Sequence, residues 1–377
     1  MSMLDVFSGT GFSVTALTAA MNKLPYKPAR LGKMGLFKTI PIDTLTVNIE
    51  ERNGVLALVP MMSRGGPATP VSSPLRKLRS FPISHLPEEG KIYADDVQNI
   101  REFGEETVIE QISSKVNDLL TVMRQNLEYT HEWQRINAIQ GLLKDADGTT
   151  IYNWATEFGI TPGADIPIAL ANKQAIKNAA MVVKRRIEDN LGMDTYTGIY
   201  AMCGKDAFQW MTTSDEMAMA FDRWQNGSFF RDNQANGAFE YAGVTWEEYR
   251  GKVGSTPFVP DATVRFFPLG TNNVFLEHYG PANYTETVNT RGKPVYAKQE
   301  RMKFDKGIDI EAQSNPLIMC CRPSILQFST VTKQADQAAV PAMSGFDVDP
   351  DGKAGSAGDV SEPAGGASIT PPSKDKK

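Results

Sequence analysis

The sequence predicts an α+β fold, and three stretches carry that prediction. Residues 39–60 show the two-residue alternation of a β-hairpin. Residues 92–143 show helical spacing and contain no proline, and residues 165–300 mix shorter runs of both kinds.

Taken in order, residues 1–38 hold the breakers Gly9, Gly11, Pro25, Pro28, Gly32 and Gly35, with a short helix predicted over Ser13–Met21. Too little apolar surface lies here for a separate core, so the segment reads as an arm laid on something else. The Gly9–Gly11 pair lacks the third glycine and the preceding strand of a dinucleotide site. In the hairpin, Thr44–Glu50 alternates, Arg52-Asn53-Gly54 supplies a turn, and Val55–Val59 returns as an apolar strand. Residues 60–90 then carry Pro60, Pro67, Pro70, Pro74, Pro82 and Pro87, a density that resists helix and central strand. A long limb packed on a neighbour fits this composition better than a loop inside a compact domain.

From Ala94 the pattern changes. Val97, Ile100, Phe103, Val108, Ile112, Val116, Leu119, Met123 and Leu127 recur near helical spacing, with Asp95 or Asp96 as a cap. Two arrangements fit: one rod over 95–141, roughly 70 Å long at 1.5 Å per residue, or two helices broken at Gly104. Asp145-Ala-Asp-Gly148 lacks the further oxygens of a calcium loop and reads as a hairpin turn. Beyond it, Lys173–Leu191, Lys205–Thr213 and Ser214–Trp224 are predicted helical. Ile199–Cys203, Ala238–Tyr249, Thr263–Pro268, Asn273–Tyr279, Lys303–Gln313 and Leu317–Arg322 are predicted strands, with Asn315-Pro316 turning the chain between the last two. The cluster Lys184-Arg185-Arg186 has no interleaved aromatics and reads as a solvated helix face rather than a nucleic-acid site. Residues 333–377 hold 8 Ala, 6 Gly, 5 Pro and 5 Ser with one aromatic, Phe346, so a flexible tail is expected.

Composition narrows the function. The chain has 377 residues, 22% of them charged and 41% hydrophobic, which suits packed domains, two or three at this length. No window approaches the ~18 apolar residues that span a bilayer, and the N-terminus has no basic flank or apolar core for secretion. Cys203, Cys320 and Cys321 make no CxxC spacing, so neither a disulfide framework nor a cysteine zinc site is expected, and a reducing interior is. His85, His131 and His278 lie far apart, and no nucleophile elbow, phosphate loop or HExxH occurs. No catalytic residue, cofactor or metal is therefore predicted. The net charge of −5 hides an asymmetry: residues 1–91 carry 11 Lys/Arg against 6 Asp/Glu, whereas residues 92–332 carry 23 against 31. A basic front and an acidic body allow one copy to meet another, while the whole chain lacks a nucleic-acid footprint.

Several strings then share an order and spacing with a known family. They are Leu36-Phe37, Val47–Glu50, Gly54–Pro60 and Arg64–Pro67; Ala94–Gln98 with Arg101–Gly104; Gly141 through Gly148; Pro281–Thr290 followed by Gly292–Glu300; and Glu311–Leu317 with Arg322-Pro323. Over about residues 1–330 the chain resembles the major capsid proteins of lambda-like tailed phages, the phage capsid protein E family. The resemblance implies the tailed-phage major capsid fold: an N-terminal arm (1–38), an extended β-hairpin loop (39–91), a peripheral domain with a long spine helix (92–164), an axial domain (165–290) and return strands of the peripheral domain (291–332), leaving the tail (333–377) outside the pattern. It also implies self-assembly of hexamers and pentamers into an icosahedral shell around double-stranded DNA, held without sequence-specific contacts. Assembly in the host cytoplasm, a portal and, in some members, a decoration protein belong to the same expectation. Because the chain opens directly with its arm, a separate scaffolding protein is expected. Arg64, Arg76, Lys77 and Arg79 are the candidate subunit-interface residues, a basic limb facing acidic body on a neighbour. The front ninety residues are expected to find their partners on other copies rather than on their own chain. A cellular nanocompartment shell of the same fold holding protein cargo is the alternative, and a hydrolase pairing Asp or Glu with His278 is a more remote one.

Overall fold

The computed structural model describes residues 13–23, 30–52, 76–97, 108–192, 194–223, 238–253 and 255–333, all within a compact unit that spans residues 1–334. The elements run α1 (Val14–Lys23), α2 (Arg30–Met34), β1 (Lys38–Pro41), β2 (Thr46–Arg52), β3 (Arg76–Pro82), β4 (Leu86–Tyr93), α3 (Ala94–Val97) and α4 (Val108–Ala138). They continue β5 (Leu142–Lys144), β6 (Thr150–Asn153), α5 (Trp154–Phe158), β7 (Ile168–Ala169), α6 (Ala175–Leu191), β8 (Gly198–Cys203), α7 (Lys205–Thr212), α8 (Asp215–Arg223), β9 (Phe239–Tyr241) and β10 (Val244–Glu248). The last are β11 (Lys252–Val253), β12 (Thr256–Pro257), β13 (Thr263–Leu269), β14 (Phe275–Tyr279), β15 (Tyr296–Arg301), β16 (Gly307–Ser314), β17 (Pro316–Cys320) and β18 (Gln327–Thr332). The mixture of helices and largely antiparallel strands is the predicted α+β class.

Among the described residues four buried clusters form, three large ones and a small one of Ala282, Tyr284 and Tyr296. The largest surrounds a six-stranded sheet of order β7-β18-β13-β8-β10-β9. Helix α6 lays Ile176, Ala180, Val183 and Ile187 on it, the i, i+4, i+7, i+11 stripe that the sequence displays. The second cluster joins α1, α4 and the sheet β15-β16-β4: Leu17 and Met21 meet Leu120, Met123, Val295 and Ile310. The third lies under the β2–β3 hairpin, where Val47 and Phe81 meet Trp154, Phe158, Leu317 and Met319. A further three-stranded sheet, β1-β14-β17, adjoins these clusters through residues such as Phe275 and Leu317.

Helix α4 has 31 residues, about 46 Å at 1.5 Å per residue. With α3 it gives two helical stretches; Gly104, the predicted break, lies outside the described residues. The spine crosses β4 at Gly90, where an added Cβ would stand 2.7 Å from Met123 Cε and 3.0 Å from Leu119 Cδ1.

Three expectations change. The described partner of β2 is Arg76–Pro82, in register from Thr46↔Pro82 to Arg52↔Arg76; the predicted strand Val55–Val59 lies outside the described residues. Strand β3 tolerates its proline because Pro82 is its last residue, and Pro87 of β4 lies on the edge of its sheet, so neither removes an interior ladder bond. The run Ala238–Tyr249 is two strands, turned at Ala242 (φ 55°) and Gly243 (φ 76°), the left-handed pair that a two-residue hairpin turn requires.

The third change concerns the front of the chain. Its described parts pack on their own body. Helix α1 buries Leu17 and Met21, β1 runs parallel to β14, and β4 pairs antiparallel with β16 from Leu86↔Ser314 to Tyr93↔Gly307. Single residues such as Met21 and Ile92 look weak in sequence, yet distant strands supply the surface that covers them. The tail lies outside the described residues.

Candidate assembly interface

The hairpin base follows from strand alternation. Val47, Ile49, Arg79 and Phe81 occupy one face, and that face is held by the chain itself. The Phe81 ring makes edge contacts with Tyr152, Trp154 and Phe158 at centroid distances of 5.6, 5.4 and 6.0 Å. Asn153 positions two of these rings by capping α5, its Oδ1 accepting from the amides of Ala155 (3.1 Å) and Thr156 (3.4 Å). The Arg79 guanidinium lies 5.7 Å from the Phe158 ring centroid. Leu78, on the opposite face, is 71% exposed, and Leu45 at the hairpin's foot is 68% exposed.

The four candidate cations therefore do not form one described patch. Arg79 rests over its own Phe158, and Arg76 and Lys77 pair through their backbones with Arg52 and Glu51. Arg64 lies outside the described residues. The sequence reading passed over Leu45 and Leu78; the signal for Leu78 was its place between Lys77 and Arg79, out of phase with Phe81. Within α6, the solvated face holds for Lys184 and Arg185. Arg186, however, donates to the Ala164 carbonyl at 2.6 Å and pins the loop before β7.

A buried charge network fastens the described arm to the body. The Glu132 carboxylate on α4 accepts from the amides of Leu31 (2.7 Å) and Gly32 (3.3 Å). Arg30 donates to Glu247 at 2.7 Å and to the Tyr200 hydroxyl at 2.8 Å, and Tyr200 in turn donates to Glu247. Thr39 donates to Glu277 at 2.6 Å, and Arg135 bridges Glu277 at 3.0 Å and Glu132 at 3.8 Å. Arg124 donates to the Met21 carbonyl and to Glu128 at 3.1 Å. Burial pushes the Glu132 carboxyl above the ordinary range, more than the two amides and Arg135 pull it down. Burial also opposes the Glu128 charge, but the combined pull of His131, Arg124 and Arg135 holds that carboxyl below its ordinary range. This chemistry fixes a chain segment. Among the described residues no group of three His, Cys, Asp or Glu is placed to hold a metal ion, and no helix is long and apolar enough to cross a membrane. His278 sits within β14, paired with Leu317 and Ile40, and burial lowers its basicity.

A long helix crossing a three-stranded sheet, a six-stranded sheet and a projecting hairpin together define the tailed-phage capsid fold. A crystal structure described as a prophage capsid protein of Escherichia coli CFT073 matches this fold with a TM-score of 0.54 at 13% identity, over 85% of this chain and 99% of that one. The family model for phage major capsid protein E matches residues 13–331, and the chain belongs to that family. It is similar to the major capsid protein of Salmonella phage Felix O1 (isolate Felix O1-VT1), 25% identical over 360 residues, covering 86% of this chain and 97% of the relative. The major capsid protein of Pseudomonas phage KPP10 is 22% identical over 343 residues, covering 84% and 95%. The function is thus that of a phage major capsid protein, and the nanocompartment alternative is not favoured, since the family and both relatives are those of phages.

Proposed function

We propose that this chain closes an icosahedral head by repeating heterologous contacts within hexamers and pentamers, and that the outer face of the β2–β3 hairpin is one half of such a contact. The observation that carries this is the contrast between a face buried on the subunit and an outer face, with Thr46, Asn48, Ser80 and Pro82 around Leu78, that the described residues leave exposed. Phe81 anchors the base to its own subunit, while Leu45 and Leu78 stand in solvent. Among the described residues β2 and β3 pair only with each other, so each also offers an unpaired edge for strand addition by another copy. Strand addition together with burial of Leu78 supplies the affinity. The basic residues Arg64, Arg76 and Lys77 contribute register and partner choice, since exposed ion pairs add only ~0–1 kcal/mol each. Many such contacts around a ring that closes make the shell far more stable than any pair.

The enclosed DNA is held without tight sites, in keeping with a net charge of −5; a strongly basic wall would retain phosphates. Assembly in the host cytoplasm on a separate scaffolding protein, around a portal, completes the reading. Electron microscopy of the chain expressed alone and with its scaffold tests it. Regular heads are expected only with the scaffold. Complete heads from the chain alone would overturn the scaffold requirement, and a persistent compact monomer under both conditions would overturn shell formation. Salt-sensitive, high-affinity DNA binding by purified subunits would overturn the account of the wall.

A further inference from the structure

Among the described residues Phe304, in the turn between β15 and β16, is the most exposed large apolar side chain, at 79%. Its backbone is left-handed, at φ 64°, and so is that of Asp305, at φ 52°. An aromatic residue is strained in that conformation, where glycine or asparagine is not. The turn is also firmly held. The Met302 amide donates to the Gly307 carbonyl at 3.0 Å, the Asp305 amide to the Met302 carbonyl at 3.1 Å, and the Ala94 amide to the Lys306 carbonyl at 2.9 Å. Phe304 is thus a fixed apolar knob, flanked by the exposed Lys303 and Lys306, with Lys303 Nζ 5.3 Å from its ring centroid. Its own subunit covers little of the ring, so no packing within the described chain offsets the strain.

A recess of matching chemistry lies at the foot of the β2–β3 hairpin, a cleft of about 700 Å³ lined by Leu45, Ile83, Ala282, Tyr284 and Val288. Its rims are open: Leu45 is 68% and Val288 63% exposed. Its polar groups are already engaged, with His85 Nδ1 bonded to Asn315 Oδ1 at 2.7 Å and Asn315 Nδ2 donating to the Pro281 carbonyl at 2.9 Å. What is left to offer is apolar surface. Among the described residues of the lining Asp43 is the carboxylate, and no lysine or arginine accompanies it, so the mouth is opposite in sign to the lysines beside Phe304. The knob cannot fill the recess of its own chain. Tyr296, at the start of β15, packs on Ala282 and Tyr284 of the cleft wall. From there the strand is held extended by its pairing, from Tyr296↔Gln313 to Arg301↔Ile308. At 3.3 Å per residue Arg301 lies about 17 Å further on, with the turn beyond it. The chain belongs to a shell-forming family, so other copies are at hand. A heterologous contact between copies needs two different patches on one molecule, here a projection and a recess.

We propose that Phe304 of one copy seats in the hairpin-foot cleft of a neighbouring copy, between Leu45 and Val288, with Lys303 and Lys306 beside Asp43. The contact rests on self-assembly of the chain, and it stands whether or not the outer face of the β2–β3 hairpin is a second contact.

Cross-linking of assembled particles tests it. Particles are made from Phe304→Cys chains, from Val288→Cys chains and from a mixture of the two, and treated with a short bismaleimide. Both positions are exposed, Cys203 and Cys320 are buried, and the single-variant particles report any reaction at Cys321. The expected product, in the mixed particles only, is a two-chain species that joins the residue 304 peptide to the residue 288 peptide. Regular particles without that link overturn the contact, as does a 304-to-304 link between Phe304→Cys chains, or an intrachain link when one chain carries both cysteines. Electron microscopy of the same samples separates the two ways of failing: if the unaltered chain forms no particles, self-assembly itself is overturned. Phe304→Asn removes the ring and suits the left-handed turn. It is expected to leave the melting temperature of the unassembled subunit no lower and to speed shell disassembly in denaturant at least tenfold; an unchanged disassembly rate overturns the proposal.

Discussion

Replacing Phe81 by alanine separates the two faces of the hairpin. The ring is 3% exposed and touches three other aromatic side chains. A phenylalanine buries roughly 200 Å², which at about 25 cal/mol per Å² bounds the transfer loss near 5 kcal/mol; measured core truncations of this kind cost 3–5 kcal/mol. Val47, Ile49 and Trp154 remain in place and allow partial collapse, so the lower end, about 3 kcal/mol, is expected. The loss falls on the opening of the hairpin from its base, so amides of β2 and β3 should exchange on the order of 100-fold faster in the unassembled subunit, at about 1.4 kcal/mol per tenfold. Hydrogen exchange with mass spectrometry reads this directly, with the six-stranded sheet as internal control. Leu78→Ala is the contrasting variant: its side chain faces solvent, so subunit exchange should stay within about twofold. Its effect should appear instead as a lower denaturant midpoint for shell disassembly. A change under fivefold for Phe81→Ala would refute the anchoring of the hairpin on its own chain. Equal shell stability for Leu78→Ala would refute its outer face as a contact.

Other consequences follow from the arm network and the backbone. Arg135→Met leaves the buried Glu277 and Glu132 without their cation and should cost about 3–5 kcal/mol in urea unfolding; adding Glu277→Met should restore much of that, and strict additivity of the two would count against coupling. The Glu132 carboxyl, raised by burial, binds a proton in the folded chain at pH values where the unfolded chain, near 4.5, has released it. Unfolding then releases a proton, so stability should fall as pH rises from about 4.5 through the folded value and level off above it. Glu132→Gln should lack that component, and parallel pH curves for the two proteins would sink the assignment. Gly292→Ala would place a Cβ 1.9 Å from the Tyr279 carbonyl oxygen, a backbone atom that cannot yield, so this variant should fail to fold by circular dichroism; a wild-type melting temperature would contradict the packing.

Local pattern carried much of the architecture. The apolar stripe of α6, the Asp145–Gly148 turn and the strands around Asn315-Pro316 each depend on neighbours in sequence, so side-chain spacing alone revealed them. The ordered strings from Leu36 to Pro323 likewise pointed to the family, which the match over residues 13–331 bears out. Spacing could not show that Arg76–Pro82 pairs with β2, because that pairing depends on Phe81 reaching Trp154 and Leu317 from elsewhere in the chain. Nor could it show that Glu132, Glu247 and Glu277, from three separate elements, converge on the arm. Charge totals suggested a basic limb seeking acidic neighbours; of its candidates Arg79 lies on Phe158, while Leu78 beside it stays exposed. Sequence alone determined the local elements and the family, since both are written in short-range order. Tertiary structure decided which face of each described element is buried within the subunit and which stays exposed, because burial is settled only when residues hundreds of positions apart meet.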